Sequence, residues 1–513
     1  MSYNVAMKMS DFKMSLFWQA VIIFCISFFI FSLAQFPHTF LDPDAFYHAK
    51  ISEKIAQDGI IQDFPWMQVS TLKNNYIDHH LGFHLLVAPI TKFIDKAFAL
   101  KLVNLFINSA FVTLFYLFLK KQRIKYSLLY IILIFLSTPL FGRLSLNKAS
   151  GLSLILLLLF VWALYKKKPW QLFIISALYL YCYGGWAIIF IFLFVYCLSR
   201  LFFGIIEKRQ AKKIFNKKFL YLMLAPIGGI IAALIVNPYF PKNIYFYWQQ
   251  IVQIGLINYQ DKITVGAEWY PYDFFNLIIY LFFLWGLFIF SLMIVVYQKA
   301  KPNWKHFFWI FLSLIFFVAT LKSGRYIEYF IPIFIIAIAY LLNENKPPKP
   351  IEKFPKQILA YFIFGIIFAT GLATYNFAST VISFQNGHQL TEFKQASQWI
   401  KEYTEPHSII FHTDWDEFPQ LWYHNDQNYY LNGLDPTFSY TFDNQLHQKW
   451  AKIIMGEEAD NLYKIIKNDF SSDYIFVEKK NHEKFLQNLE NNFLAEKKYE
   501  DDESAIFYLK DYE

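Results

Sequence analysis

Eleven apolar runs, each of roughly 15 to 24 residues, recur near 16–36, 102–119, 127–141, 149–165, 170–183, 186–203, 219–236, 274–297, 307–320, 327–342 and 358–377. A hydrocarbon core about 30 Å thick admits backbone only where every N–H and C=O is satisfied within the segment. Runs of this length therefore read as spanning helices, the shorter ones at the lower limit. The 513 residues are 56% hydrophobic and only 17% charged, whereas ordinary globular domains carry about 25% charge. A chain built entirely of soluble domains, disorder and, despite a formal charge of +8, a soluble nucleic-acid-binding protein are excluded. The run at 16–36 ends in Ser32 and Ala34, which imitate a signal-cleavage site, but it is about a bilayer long and is read as an uncleaved first span.

Charge divides the chain in two. Residues 385–513 hold 12 Lys and no Arg against 24 acidic residues, whereas residues 1–384 hold 35 basic against 15 acidic. The expectation is a transmembrane domain over 1–384 and a soluble domain over 385–513. The segments Lys120–Lys125, Lys166–Lys168, Glu207–Lys218, Lys299–Lys305 and Lys346–Lys356 are basic, and the loops between them hold few basic residues. By the positive-inside rule these segments and the amino terminus face the cytoplasm. An odd span count then places 37–101, 237–273 and the C-terminal domain outside, in an inner (cytoplasmic) membrane.

The tail alternates strand-like and helix-like stretches. Ser408–Phe411, Tyr429–Leu431, Tyr474–Val477 and Ala505–Leu509 read as strands, and Thr391–Tyr403, Gln445–Met455, Asn461–Ile466 and His482–Asn491 as amphipathic helices. The predicted fold class is thus a polytopic α-helical membrane protein of about 11 spans with a C-terminal α/β domain. Cys25, Cys182 and Cys197 lie in apolar runs and read as buried hydrophobes. Lys346–Pro355, rich in proline and lysine, reads as a solvated loop.

The first outer loop opens with Asp42-Pro43-Asp44-Ala45-Phe46-Tyr47-His48. Two carboxylates two residues apart can share a hard divalent cation, Mg²⁺ or Mn²⁺, which prefers oxygen ligands and often also takes substrate phosphate. They can equally cap the following helix, with Asp44 accepting backbone N–H bonds.

Asp44-Ala45-Phe46-Tyr47, placed after the first span, resembles the aspartate motif of the GT-C glycosyltransferases, and more particularly that of the catalytic subunit of oligosaccharyltransferase. Three further segments extend the resemblance. Asp414-Trp415-Asp416-Glu417-Phe418 sits where that family has WWDYG, and Trp415 and Asp416 match its second Trp and its Asp. Thr264-Val265-Gly266-Ala267-Glu268 is similar to its Thr/Ser-x-x-Glu element with one residue inserted. Arg325 stands where it places an arginine on the donor phosphate. The resemblance implies transfer of a sugar or oligosaccharide from a polyprenyl-linked donor to a protein, glycan or lipid acceptor. Asp44 would be the catalytic carboxylate, with Asp42 beside it on the cation, Glu268 on the acceptor amide, and Trp415 and Asp416 positioning the acceptor. One departure stands out. The family's second acidic pair should fall near Phe141–Lys148, which holds no carboxylate.

Outside that resemblance, Asp78-His79-His80-Leu81-Gly82-Phe83-His84 puts His80 and His84 on one helical face. Imidazoles so placed could bind a metal, hold donor phosphate when protonated, or be interfacial residues satisfied by backbone and water. Tyr181–Trp186 reads as a tight turn between spans. Rival functions are sugar transfer to hydroxyl acceptors (O-linked, lipid or glycan), a transporter or flippase, and a non-catalytic partner subunit. A transporter would place ionisable groups at mid-membrane and show inverted repeats, whereas here the carboxylates cluster in the outer loops.

Overall fold

A computed structural model of the protein describes residues 14–208, 216–298, 303–343 and 356–511. The basic segments at the amino terminus, at Lys299 and Lys301 and over 346–355 fall outside those residues, as does most of 207–218. All eleven apolar runs lie on helices: Leu16–Gln35, Lys96–Lys121, Ser127–Leu136 with Thr138–Leu144, Ser150–Tyr165, Pro169–Cys182, Ile188–Ile206, Lys217–Val236, Phe274–Tyr280 with Phe282–Tyr297, Trp304–Lys322, Ile327–Asn343 and Lys356–Gln385. Among the described residues six helical segments are long and apolar enough to cross a membrane, or eight if each bent pair is one span. The chain is therefore an integral membrane protein, and eleven spans exceeds what length and composition secure.

Both helix pairs bend by 77°. In the first pair Pro139 sits in the opening turn of Thr138–Leu144, where its missing N–H is tolerated, whereas within one continuous helix it would break the ladder. This bend aims the loop 141–148 back toward the carboxylates of the first outer loop. Helix contacts elsewhere rely on small residues, as is usual where lipid supplies no hydrophobic drive. A Cβ at Gly229 would lie 2.1 Å from the backbone carbonyl of Phe173, so helices Lys217–Val236 and Pro169–Cys182 meet backbone to backbone only because the residue is glycine.

The segment 37–101 is not a loose loop. It carries helices Asp44–Asp58, Leu72–Asn75 and Leu81–Thr91, and it is clamped to the C-terminal part at two places. Strand β1 (Thr39–Phe40) pairs antiparallel with β2 (His388–Gln389) just before the Asp42–Asp44 motif. Further on, Gln68 and Val69 donate to the carbonyls of Tyr430 and Leu431, while Tyr430 donates to that of Trp66.

The C-terminal part holds β3 (Ile409–Phe411), β4 (Tyr429–Tyr430), β5 (Tyr474–Glu478), β6 (Ala495–Glu500) and β7 (Ser504–Leu509) in the order β4-β3-β5-β7-β6. β3 is parallel to both β4 and β5, and the remaining pairs are antiparallel. Strand β6, AEKKYE, was not among the expected strands. It is an edge strand whose charged residues leave no hydrophobic alternation to read. The helices Phe418–His424 and Pro436–Phe442 were likewise unexpected. They are seven residues each, and the first is buried almost throughout, so neither shows an amphipathic period.

The charge-derived topology is testable at exposed positions of the two parts. A cysteine replacing Glu483, in the C-terminal part, should react with an impermeant thiol reagent in intact spheroplasts. One replacing Lys166, in a basic loop, should react only after lysis; both residues are exposed. The reverse labelling would overturn the orientation.

Candidate active site

Asp44 is the first residue of helix Asp44–Asp58, but its side chain makes no capping bond. Asp42 does that work, its Oδ1 accepting the Asp44 N–H at 2.9 Å. Of the two openings left by the sequence, capping thus belongs to Asp42. The outward-facing oxygens of both aspartates converge on Lys148, whose Nζ lies 2.9 Å from Asp42 Oδ2 and 2.8 Å from Asp44 Oδ2. Burial disfavours a charged lysine, yet Asp42 and Asp44 hold Lys148 well above the usual lysine range. The carboxylates are thus joined by an ammonium, and as arranged they do not fit a divalent cation.

Glu268 stands across the same cavity. Its Oε1 accepts from Arg325 Nη1 at 2.7 Å and its Oε2 from Arg143 Nη1 at 2.5 Å. Burial would raise its pKa, but Arg325, Arg143 and Lys148 pull it well below the ordinary carboxylate range. Arg143 also donates to Glu328 (Nη2 to Oε2, 3.1 Å), and Tyr183 Oη donates to Glu328 Oε1 at 2.9 Å. Glu328 is fully buried, so these partners are what makes its charge tolerable. The Arg325 guanidinium also lies over the Trp269 ring, 4.9 Å from its centroid.

The cavity between these groups is lined by Asp44, His48, Lys148, Glu268, Arg325 and Asp435, among others. Asp435 was not foreseen. It caps helix Pro436–Phe442 through Thr437 N–H at 2.8 Å, and burial pushes its carboxyl up to about 6.

The histidines divide. His80 reaches the cavity, but His84 does not. His84 is fully buried, with Nδ1 2.7 Å from Asp78 Oδ2 and Nε2 2.8 Å from His48 Nδ1. With both nitrogens committed it cannot bind donor phosphate, which corrects the sequence expectation. Because Asp78 accepts, His84 carries its proton on Nδ1 and receives one from His48 Nδ1. His48 is held by this chain four residues after Asp44, on the same helical face. Burial, then the neighbouring His79, drives His80 well below the usual histidine range, so it is neutral.

Trp415 and Asp416 do not line the cavity itself. They stand beside it. The Trp415 indole lies against Gly266, where an added Cβ would be 3.6 Å away, so two of the segments matched in sequence meet in space. Burial, then Asp414, Asp44 and Asp42, pushes the Asp416 carboxyl up to about 8, leaving it protonated and able to donate at neutral pH. Glu417 is structural, accepting from Thr413 N–H and Asp414 N–H, both at 2.9 Å. Arg143, Lys148 and Glu328 belong to none of the motifs singled out in the sequence, and the first two lie in the segment 141–148, where the resemblance implies acids. The signal was the pair of cations standing in their stead.

No protein-family model matches the chain, and no curated protein matches it in sequence. Solved structures do match. The oligosaccharyltransferase AglB of Archaeoglobus fulgidus, in complex with an inhibitory peptide and a dolichol-phosphate, superposes with TM-score 0.61 at 12% identity, over 96% of this chain and 74% of that one. ArnT of Cupriavidus metallidurans bound to undecaprenyl phosphate gives 0.56 at 12% identity, over 96% and 98%. The arabinofuranosyltransferase AftD from Mycobacteria gives 0.59 at 9% identity, over 97% of this chain and 40% of that one. The chain has the GT-C fold that these glycosyltransferases share.

The buried network predicts a stability effect. Arg143→Leu should leave Glu328 without its cation and destabilise the detergent-solubilised protein by about 3–5 kcal/mol, read as loss of thermal stability. The double variant Arg143→Leu/Glu328→Leu should recover most of that loss, since Glu268 keeps Arg325. Equal loss in both variants would mean that the pair is not coupled.

Proposed function

We propose that this protein is a membrane glycosyltransferase that moves a sugar from a polyprenyl-phosphate or pyrophosphate donor to an acceptor at the outer face of the membrane. The observation that carries the reading is the convergence of Asp44, Lys148, Glu268 and Arg325, drawn from four distant segments, on one cavity within a GT-C fold. The complexes of two neighbours, with a dolichol-phosphate and with undecaprenyl phosphate, support a donor of that class.

The acceptor oxygen attacks the anomeric carbon while the bond from that carbon to the phosphate oxygen breaks. Asp44 accepts the acceptor's proton, and its place at the mouth of a pinned helix gives it one position from which to do so. Lys148 and Arg325, the cations lining the cavity beside it, neutralise the departing phosphate. Glu268 orients Arg325 and Arg143, each of its oxygens accepting from one of them. That commitment, with Asp414 and Glu417-Phe418 where the likeness to WWDYG fails, favours a hydroxyl acceptor on a glycan, lipid or protein over an asparagine amide. The divalent cation suggested by the Asp42–Asp44 spacing does not fit the pair as arranged, and no step passes through it. Asp416, neutral beside Trp415, would help to orient the acceptor. On this reading residues 1–384 form the catalytic membrane domain and 385–513 an extracytoplasmic domain that closes the cavity with Asp435.

Asp44→Asn tests the proposal, since it keeps the size of the side chain and disturbs no cap. Transfer should fall by about 10²-fold or more, the scale of losing a positioned base, while the protein remains folded in the membrane. Mass spectrometry of surface glycans, glycolipids and glycoproteins from a deletion strain complemented with either form reads the outcome. Full restoration by Asp44→Asn would overturn the assignment.

A further inference from the structure

The segment 141–148, where acidic residues were expected, supplies two cations instead, and one of them sits between the aspartates. Lys148 Nζ touches Asp42 and Asp44 at 2.9 and 2.8 Å, and Asp42 Oδ1 is already committed to the Asp44 amide. Three of the four carboxylate oxygens are thus engaged by the chain itself. A hard dication would need those same oxygens and would stand within a few ångströms of a like-charged ammonium.

The lysine is built in rather than draped across the site. Asn147, buried with φ 59° in the left-handed region, turns the chain immediately before it. The Lys148 carbonyl accepts from Asn104 Nδ2 at 3.3 Å, and Asn108 Nδ2 donates at 2.7 Å both to Asn104 Oδ1 and to the Leu144 carbonyl. Two buried asparagines of helix Lys96–Lys121 therefore pin the turn from which Lys148 projects. Among the described residues, the one group with the spacing to hold a metal is Glu417, Glu478 and His482, elsewhere in the C-terminal part, and Glu417 there already accepts backbone bonds.

We propose that Lys148 takes the place of a divalent cation at Asp42 and Asp44, making the site metal-independent and its ammonium the fixed positive charge that faces the donor phosphate. The part concerning the donor rests on the functional reading above; the exclusion of metal does not. A lysine offers a compact charge and three donors. Two of its donors bind the aspartates, which leaves the third for a phosphate oxygen.

The test is Mn²⁺ binding to the purified full chain in detergent, counted by electron paramagnetic resonance. Wild type and Asp44→Asn should bind the same number of equivalents, any metal at Glu417, Glu478 and His482 cancelling in the comparison. Lys148→Gln should gain one equivalent, lost again in Lys148→Gln/Asp44→Asn. A wild-type equivalent that disappears in Asp44→Asn overturns the proposal, as does a folded Lys148→Gln that gains none. If Lys148→Gln does not fold, the comparison of wild type with Asp44→Asn decides alone. These readings need no transfer assay, so they stand apart from the glycan profile. If transfer is detected, it should persist in excess chelator, and loss restored by Mn²⁺ would overturn the inference.

Discussion

Charges withdrawn from water must neutralise one another, and at the head of this helix bundle four carboxylates and three cations do so at close range. Asp42 and Asp44 share Lys148, Glu268 spans Arg143 and Arg325, and Arg143 returns to the fully buried Glu328. The seven groups come from four stretches of chain. The network therefore ties the first outer loop, the bent helix pair and the segments around 268 and 325 into one unit. Removing Arg143 would strand the fully buried Glu328 in a low-dielectric setting, where the penalty is far larger than the net worth of the pair.

That unit is held in register by backbone as well as by charge. β1 and β2 clamp the chain directly before Asp42 to the start of the C-terminal part, and residues 66–69 extend the edge of the sheet beside β4. Helix Asp44–Asp58 lies between these clamps, so its first residue has little freedom to move. The relay from Asp78 through His84 to His48 stiffens the same helix from behind. A carboxylate that must meet an acceptor in one geometry benefits from such redundancy. The C-terminal part completes the wall with Asp435 and lays Trp415 against Gly266.

The resemblance carried by Asp44, Glu268 and Arg325 brought together residues that do share one cavity. It also carried a role for Glu268 for which nearby cations compete. Both oxygens of Glu268 already accept from arginines, and His84, singled out by spacing rather than resemblance, has no free nitrogen for a phosphate. In each case the residue stands where expected, and a partner remote in sequence has already claimed its polar atoms. Roles are set by what remains unpaired, which a motif does not record.

Hydropathy and backbone preference act over a window of a few turns, so the sequence alone determined the helical runs, the division of charge between body and tail, the main strands of the tail and the acidic start of the first outer loop. It could not settle which charges meet. Lys148 pairs with Asp44 across 104 positions and Arg325 with Glu268 across 57, and no local pattern encodes a contact of that range. The tertiary structure decided it, because the sharp bend before Pro139 and the asparagine-pinned turn at Asn147 bring the cations to the carboxylates, and burial then makes that proximity binding.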